Sequence, residues 1–280
     1  LLQSNLTASA RNIGAALALT PADRCLNVMP LFHIHGLIAA VTASLAAGAS
    51  TVLLEKTAPP QLLDGIAGFG ATVLFTAPTT YRTLAARGVD LRRSRLRKCV
   101  SAGEALPAST RALWKQATGI EIIDGIGSTE MLHIFISADE ANARPGATGK
   151  AVPGYVARVV DDAGRELPPG TVGRLAVKGP TGCRYLADAR QSAYVKDGWN
   201  YTGDAYRMDA DGYFHYQART DDMIISAGYN IAGPEVESAL LLHPAVAECG
   251  VVGQPDESRG TIVKAYVVLR PGHAGDEAMV

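Results

Sequence analysis

The spacing of apolar and polar positions changes character along the chain. Over residues 1 to about 140, short apolar runs alternate with longer segments of helical composition. Residues 4–19 read as a helix that stops before Pro21, and Arg24-Cys25-Leu26-Asn27-Val28 reads as a strand. A helix over 60–69 precedes a strand over 71–75, and Cys99-Val100 begins another strand. A helix over 106–118 ends at Gly119, and a strand follows at Glu121-Ile122-Ile123. Strands alternating with helices predict a largely parallel α/β sheet covered on both faces.

Residues 36–54 form a run of nineteen without a charge, long enough on paper to span a bilayer. Thr42, Ser44, Gly48, Ser50 and Thr51 dilute the run, and much of the rest is Ala. Gly48 fits a helix C-cap and Thr51-Val52-Leu53-Leu54 a short strand. The run therefore predicts a buried helix, a turn and a strand, with no membrane span.

The texture changes near Arg144-Pro145-Gly146. A strand over 155–160, a turn at Asp161-Asp162-Ala163-Gly164 and a strand over 172–178 follow. Later, Asp209-Ala210-Asp211-Gly212 turns into Tyr213-Phe214-His215-Tyr216. This hairpin punctuation predicts a small antiparallel barrel or sandwich over 145–217. After about residue 222 the pattern is α+β, with a helix over 234–242 and strands over 245–252 and 261–269. No internal repeat or low-complexity tract is present. The predicted division is an α/β part at 1–144, a β-barrel part at 145–218, a hinge at 219–222 and a C-terminal α+β part at 223–280.

Length and composition narrow the functional classes. With 280 residues, 48% of them hydrophobic and 19% charged, the chain can bury a core and spans about two domains. Lys and Arg number 26 against 27 Asp and Glu. That balance argues against a dedicated nucleic-acid binder, which carries a basic footprint. The basic run Arg92-Arg93-Ser94-Arg95-Leu96-Arg97-Lys98 reads as a solvated loop leading into Cys99-Val100. Cys25, Cys99, Cys183 and Cys249 form no CxxC pair, so zinc ribbons and dithiol redox motifs are not expected. Scattered cysteines predict reduced thiols in the cytoplasm. The chain opens on Leu1 without a signal peptide, and we expect it to begin inside a longer protein.

Four constellations carry candidate chemistry. Ser101-Ala102-Gly103-Glu104 and Asp124-Gly125-Ile126-Gly127-Ser128-Thr129-Glu130 each follow an expected strand, where open parallel sheets bind ligands. Glycines let a base or phosphate approach the backbone; Thr129 offers a hydroxyl and Glu130 a hard oxygen for Mg²⁺. An ordinary βα turn is the competing reading, and the dinucleotide fingerprint is excluded because Glu130 stands where it needs Gly or Ala. Tyr201-Thr202-Gly203-Asp204 puts a carboxylate after a glycine turn, suited to two ribose hydroxyls or simply to a turn. Arg219-Thr220-Asp221-Asp222 is a charged junction leading into Ser226-Ala227-Gly228-Tyr229-Asn230-Ile231 and a helix start. His33 and His35 could suggest a metal pair, but no third ligand lies at suitable spacing. A GxSxG nucleophile elbow is absent from the sequence.

Order and spacing together resemble the adenylate-forming superfamily of acyl-CoA synthetases, aryl-CoA ligases, luciferases and peptide-synthetase adenylation domains. Pro30-Leu31-Phe32-His33-Ile34-His35-Gly36 is similar to its aromatic/His gate, and Gly127-Ser128-Thr129-Glu130 to its Gly-x-Thr-Glu loop. Val172-Gly173-Arg174-Leu175-Ala176-Val177-Lys178-Gly179 resembles its Gly-Glu-Leu strand, with Arg174 in place of Glu. Tyr201-Thr202-Gly203-Asp204 resembles its ribose motif, and Arg219-Thr220-Asp221-Asp222 its hinge. The wording of residues 125–135 and 226–231 is most similar to benzoate- and 2-aminobenzoate-CoA ligases. The family's phosphate loop and catalytic lysine are not found here, so the chain resembles a member truncated at both ends. Ile126 replaces an aromatic residue that often stacks on adenine, and Asn230 stands where many relatives carry Arg.

The resemblance implies fold, reaction and roles. The fold would be the superfamily's α/β N-terminal domain without its first part, a small β-barrel subdomain and the start of an α+β C-terminal domain. A carboxylic acid would attack ATP to give acyl-AMP and pyrophosphate, and coenzyme A would then take the acyl group. Thr129 would contact the α-phosphate and Glu130 would hold Mg²⁺, making these two the catalytic pair. Ser101, Ala102, Gly103, Glu104, Asp124, Gly125, Ile126, Gly127 and Ser128 would surround AMP or ATP, with Asp204 and Arg219 at the ribose. His33, Leu132 and His133 would line the acyl pocket. Asp221 would be the hinge, and Gly228 would border the CoA channel. The implied substrate is an aromatic acid such as benzoate or 2-aminobenzoate. A general acyl-CoA synthetase, an enzyme loading a carrier-protein thiol and a non-catalytic nucleotide-binding fragment remain alternatives. The isolated chain is expected to bind AMP weakly and to be inactive.

Overall fold

The computed structural model describes residues 2–87, 91, 94–182, 184–226, 229–256 and 259–275. Seven strands form the first sheet: β1 (Arg24–Asn27), β2 (Ser50–Leu53), β3 (Val73–Thr76), β4 (Lys98–Ser101), β5 (Ile122–Gly127), β6 (Ile134–Ser137) and β7 (Lys150–Ala151). Their order is β2-β1-β3-β4-β5-β6-β7. The first five run parallel; β6 and β7 add antiparallel.

Both faces of the parallel part are covered, as the alternating pattern predicts. Cys25, Val73, Phe75, Val100 and Ile123 point to one side. There they meet Ile13 and Leu17 near the end of α1 (Gln3–Ala16), and Ile38, Ala39 and Ala40 of a π-helical segment, His35–Thr42. Leu26, Leu74, Cys99 and Ile122, the adjacent residues, point to the other side. That face packs on α3 (Pro59–Gly68), α4 (Pro78–Ala86) and α5 (Ala108–Thr118) through Leu62, Ile66, Tyr81, Leu84 and Trp114. One-residue steps between faces follow from the two-residue period of a strand.

The uncharged run 36–54 becomes the π-helical segment, then α2 (Ala43–Ala46), a left-handed Gly48 (φ +75°) and β2. Among the described residues no helix is long and apolar enough to cross a membrane. At the amino ends of the strands, buried Asp23 accepts hydrogen bonds from Thr20, Thr72 and Arg97. Burial alone would raise this carboxyl; those bonds outweigh it and hold it well below the usual carboxylate range.

Several elements differ from the sequence expectation, and two of them bear on the site. The strand read at residues 121–123 continues through Gly127, so the Asp124-to-Gly127 stretch is strand and not loop. It pairs with β4 up to Asp124, then changes partner and pairs with β6 from Gly125. Helix α4 carries no clear sequence signal, because nine residues with three Thr and a Pro lack an extended apolar period.

The second sheet is antiparallel and open: β8 (Val156–Val160), β9 (Val172–Lys178), β10 (Val195–Lys196), β11 (Trp199–Met208) and β12 (Phe214–Arg219). β11 sits between β9 on one side and both β10 and β12 on the other. Tyr155, Val159, Leu175, Val177, Tyr206 and Phe214 form one core with Met131, Phe135 and Ile136 of the first sheet. The first sheet thus fills the concavity that a closed barrel would fill with its own remaining strands. A hairpin of β13 (Ile224–Ser226) and β14 (Tyr229–Ile231), helix α7 (Gly233–Leu240) and a long hairpin of β15 (Val246–Asp256) and β16 (Gly260–Leu269) complete the described chain. A short helix, α6 (Arg190–Tyr194), precedes β10.

Candidate active site

A cavity of about 790 Å³ opens at the carboxyl end of β5. Three parts of the chain wall it. Gly103, Glu104, Asp124, Gly125, Ile126, Gly127, Ser128 and Glu130 come from the α/β part; Thr202, Gly203, Asp204 and Arg219 come from β11 and β12; Pro234, Glu235 and Glu237 come from α7. Residues more than a hundred positions apart thus meet at the place where an open α/β sheet presents ligand sites.

Local backbone chemistry shapes each wall. Gly127 lies so close to the turn behind it that a Cβ would stand 2.5 Å from the His133 carbonyl. Any side chain there would push β5 off β6. Gly203 has φ +78°, and a Cβ on it would meet the Arg219 guanidinium at 2.8 Å. β11 shifts register against β9 between Tyr201 and Ala205. This bulge turns the Asp204 carboxyl inward. Arg219 Nη1 donates to Asp204 Oδ1 at 3.1 Å and to the Thr202 carbonyl at 3.1 Å. Burial raises the Asp204 carboxyl, and Thr202 and Arg219 only partly offset it.

Asp124 stands at the last parallel pair of β5, opposite Ser101. Burial pushes its carboxyl up to about 7. The Arg111 guanidinium lowers it but is committed to Glu121 at 2.7 Å and to the Ile122 carbonyl. Glu130 sits in the turn after β5. Its Oε1 accepts the Tyr185 hydroxyl at 2.7 Å, and its second oxygen has no donor among the described residues. The turn itself is tight: the Met131 amide donates to Ser128 Oγ and the Ser128 carbonyl, and buried Leu132 adopts φ +69°. A β-carbon-bearing residue in that region stores strain.

Other expected site residues lie elsewhere. Ser101 is fully buried within β4 and Ala102 is buried behind the cavity, neither one lining it. Thr129 is exposed and off the cavity wall. Glu104 lines the cavity, but its carboxylate is tied to the start of α4 by Thr79 Oγ1 at 2.6 Å and the Thr79 amide. Asp221 is 77% exposed and makes a loose 3.7 Å contact with Arg219. Gly228 lies outside the described residues, as do Cys183, Arg92 and Arg93.

His33 and His133 belong to a second feature, a histidine stack, with Leu132 next to His133 in the chain. The rings of His35 and His133 lie 5.8 Å apart and nearly parallel at 4°. Both are buried; among the described residues the His133 nitrogens have no hydrogen-bond partner and His35 has at most a weak one in the Val100 carbonyl, while Thr76 Oγ1 and Ser101 Oγ, paired across β3 and β4, are also unpartnered. Burial, with help from His33, lowers His35 to about 4, and burial, with help from His35 and His33, lowers His133 well below the usual imidazole range. Half-buried His33 accepts the His35 amide at Nδ1. Unmade hydrogen bonds at buried groups cost roughly 1–3 kcal/mol each, so this cluster is suited to a ligand with polar atoms. Among the described residues no group of three or more His, Cys, Asp or Glu could hold a metal ion.

His35 stands in the gate-like motif Pro30–Gly36 without an assigned role, and no sequence motif marks Tyr185 or Tyr194. Those two tyrosines line the cavity from the segment between β9 and β10, which carries no periodic signal.

Residues 1–185 match the AMP-binding enzyme family, and residues 235–280 match the AMP-binding enzyme C-terminal domain. The chain is 37% identical over 269 residues to the benzoate–CoA ligase of Thauera aromatica, covering 94% of this chain and 51% of that protein. It is 41% identical over 235 residues to the human mitochondrial acyl-coenzyme A synthetase ACSM5, covering 80% of this chain and 40% of that one. The anthranilate CoA ligase AuaEII, solved in complex with anthranoyl-AMP, superposes with a TM-score of 0.91 at 37% identity, over 98% of this chain and 55% of that one. The chain thus spans about half the length of the curated relatives it matches.

Proposed function

The chain belongs to the AMP-binding enzyme family, and from that premise we propose that its cavity is the nucleotide site of an ATP-dependent carboxylate–CoA ligase. The observation that carries this reading is the meeting of the inward Asp204–Arg219 pair with the glycine-floored end of β5 across one cavity. A carboxylate beside an open, side-chain-free floor suits a ribose hydroxyl pair next to a flat base.

A carboxylic acid is a poor acyl donor because its leaving group is oxide. Attack of its oxygen on the α-phosphorus of ATP breaks the α–β phosphoanhydride and gives acyl-AMP and pyrophosphate. Attack of the CoA sulfur on the acyl carbon then releases AMP and leaves a thioester. In such transfers the protein mainly positions the reactants and neutralises charge. Asp204 accepts the ribose hydroxyls, and Arg219 holds Asp204 in place. Gly103, Gly125, Ile126 and Gly127 flank the base, with Asp124 at its edge and Glu104 beyond. Ser128 begins the turn at the phosphates, and Thr129 follows it on the exposed side. Glu130 is the residue that would hold Mg²⁺: it has one oxygen available and a neighbouring space for phosphate, and Mg²⁺ is usually bound by one or two carboxylates plus substrate phosphates. The ion, when bound, neutralises phosphate charge.

The histidine stack with His33 and Leu132 serves as the acyl pocket. Its unpartnered nitrogens favour an aromatic acid with a polar substituent, benzoate or 2-aminobenzoate, in line with the benzoate–CoA ligase and anthranilate CoA ligase among its relatives. A broader acyl-CoA synthetase is the second reading, favoured by the ACSM5 likeness. The α/β part at 1–144, the half-barrel at 145–218 and the C-terminal part at 223–280 are joined by the hinge 219–222. The gap between the two family matches contains that hinge. Free Cys25, Cys99 and Cys249 agree with a reducing cytoplasm.

The test is Asp204→Ala in the full-length protein. A hydrogen bond to a charged group contributes roughly 1.5–3 kcal/mol, so ATP affinity should fall at least about tenfold. Calorimetric titration with ATP reads it. Unchanged affinity in a protein that melts normally would remove the ribose role and with it this reading of the cavity.

A further inference from the structure

The turn that carries Glu130 is braced from the other side of the cavity. The Tyr185 hydroxyl donates to Glu130 Oε1 at 2.7 Å, and the Tyr194 hydroxyl meets Ser128 Oγ at 3.2 Å. The two tyrosine rings stand edge to face, 5.9 Å apart at 83°. Tyr185 is itself held: its amide donates to Gln191 Oε1 at 2.7 Å, and the Arg190 guanidinium lies over its ring at 5.1 Å. Arg190 is in turn fixed by Asp188 at 2.6 Å. The hydroxyl that reaches Glu130 thus projects from an ordered strap across residues 185–194.

We infer that Tyr185 is a positioning residue for Glu130, holding the carboxylate in the rotamer that leaves its second oxygen facing the nucleotide. The inference rests on the proposed reading of the cavity and adds to it a residue from outside the motifs that suggested that reading. A glutamate has three rotatable torsions and loses their freedom when ordered by a ligand. A hydroxyl already gripping one oxygen removes much of that freedom beforehand, which is the advantage of a supporting contact around a binding group. A short bond from a neutral donor to a carboxylate is among the stronger hydrogen bonds available. It also takes one lone pair of Oε1, so Oε2 would be the freer oxygen for a cation. Tyr185 touches no reacting atom in this scheme; it acts through Glu130.

Tyr185→Phe deletes the hydroxyl and keeps the ring, its edge contact and the overlying guanidinium. ATP affinity is measured calorimetrically on the full-length protein, once with magnesium and once with EDTA. Tyr185→Phe should weaken binding about tenfold in magnesium and leave the EDTA value unchanged. Tyr194→Phe, which spares the Glu130 bond, should show no loss confined to magnesium. A loss equal in both arms, no loss at all, or the same magnesium-specific loss in Tyr194→Phe would overturn the inference, since each points to strap packing or to nothing. Glu130→Gln separates the two levels of the argument. If it abolishes the magnesium-dependent gain while Tyr185→Phe does not, only the tyrosine is wrong. If Glu130→Gln keeps that gain, Glu130 is not the metal-side residue and both readings fall.

Discussion

Replacing Asp124 by Asn turns the cavity's electrostatics into a stability measurement. The carboxyl rises from 3.8 to about 7 on folding, chiefly through burial. Between those values the folded state holds a proton that the unfolded state has released, so stability falls as pH rises through this window. Below 3.8 both states are protonated and the contribution is fully present. Above about 7 both are ionised and the loss levels off. Each pH step inside the window is worth about 1.4 kcal/mol. From pH 5 to pH 8 only the part up to about 7 counts, giving at most about 2–3 kcal/mol. Asp124 keeps partial access to water through the cavity, which screens some of this, so about 1–3 kcal/mol is expected. Asn has the same shape and never ionises. Urea unfolding of Asp124→Asn and wild type at pH 5 and pH 8, at one ionic strength, cancels every other titrating group. The stability difference should move in favour of Asn by that amount on going to pH 8. A difference that stays constant within about 0.5 kcal/mol, or that moves toward the wild type, would refute the burial argument.

Two further outcomes test the catalytic cycle and the acyl pocket. Asp221→Pro in the full-length protein should impair thioester formation far more than pyrophosphate exchange, because proline fixes φ near −65° where rotation needs freedom; equal loss of both steps would make Asp221 part of the nucleotide wall. A panel of acids should show benzoate or 2-aminobenzoate favoured over medium- and long-chain fatty acids by at least about tenfold in kcat/KM; fatty acids at the top would mean that the His33 gate segment governs selection in place of the His35–His133 stack.

The sequence by itself determined the class of the fold, most element positions and the family. Alternation of faces at Cys25 and Leu26, or Ile122 and Ile123, is a local property of a two-residue period, and it was legible because a strand buried on both sides needs apolar residues at every step. Gly203 and Gly127 were legible as glycines, since composition and order mark a motif without coordinates. Tertiary structure alone decided which of those motif residues face the cavity. Thr129 is exposed and Ser101 is buried at the end of β4, and the exchange of partner strands by β5 at Asp124 is written nowhere in the spacing of residues 121–130. The missed helix α4 owes its place to Pro78 at its start, to Glu104 across the chain and to Tyr81 packing on Trp114. Intrinsic helix preference over nine residues is too weak to announce it. The same holds for the histidine stack and for Tyr185 on Glu130. Each joins groups about fifty to a hundred residues apart, and contact between distant residues depends on how the sheets pack, which no local pattern encodes.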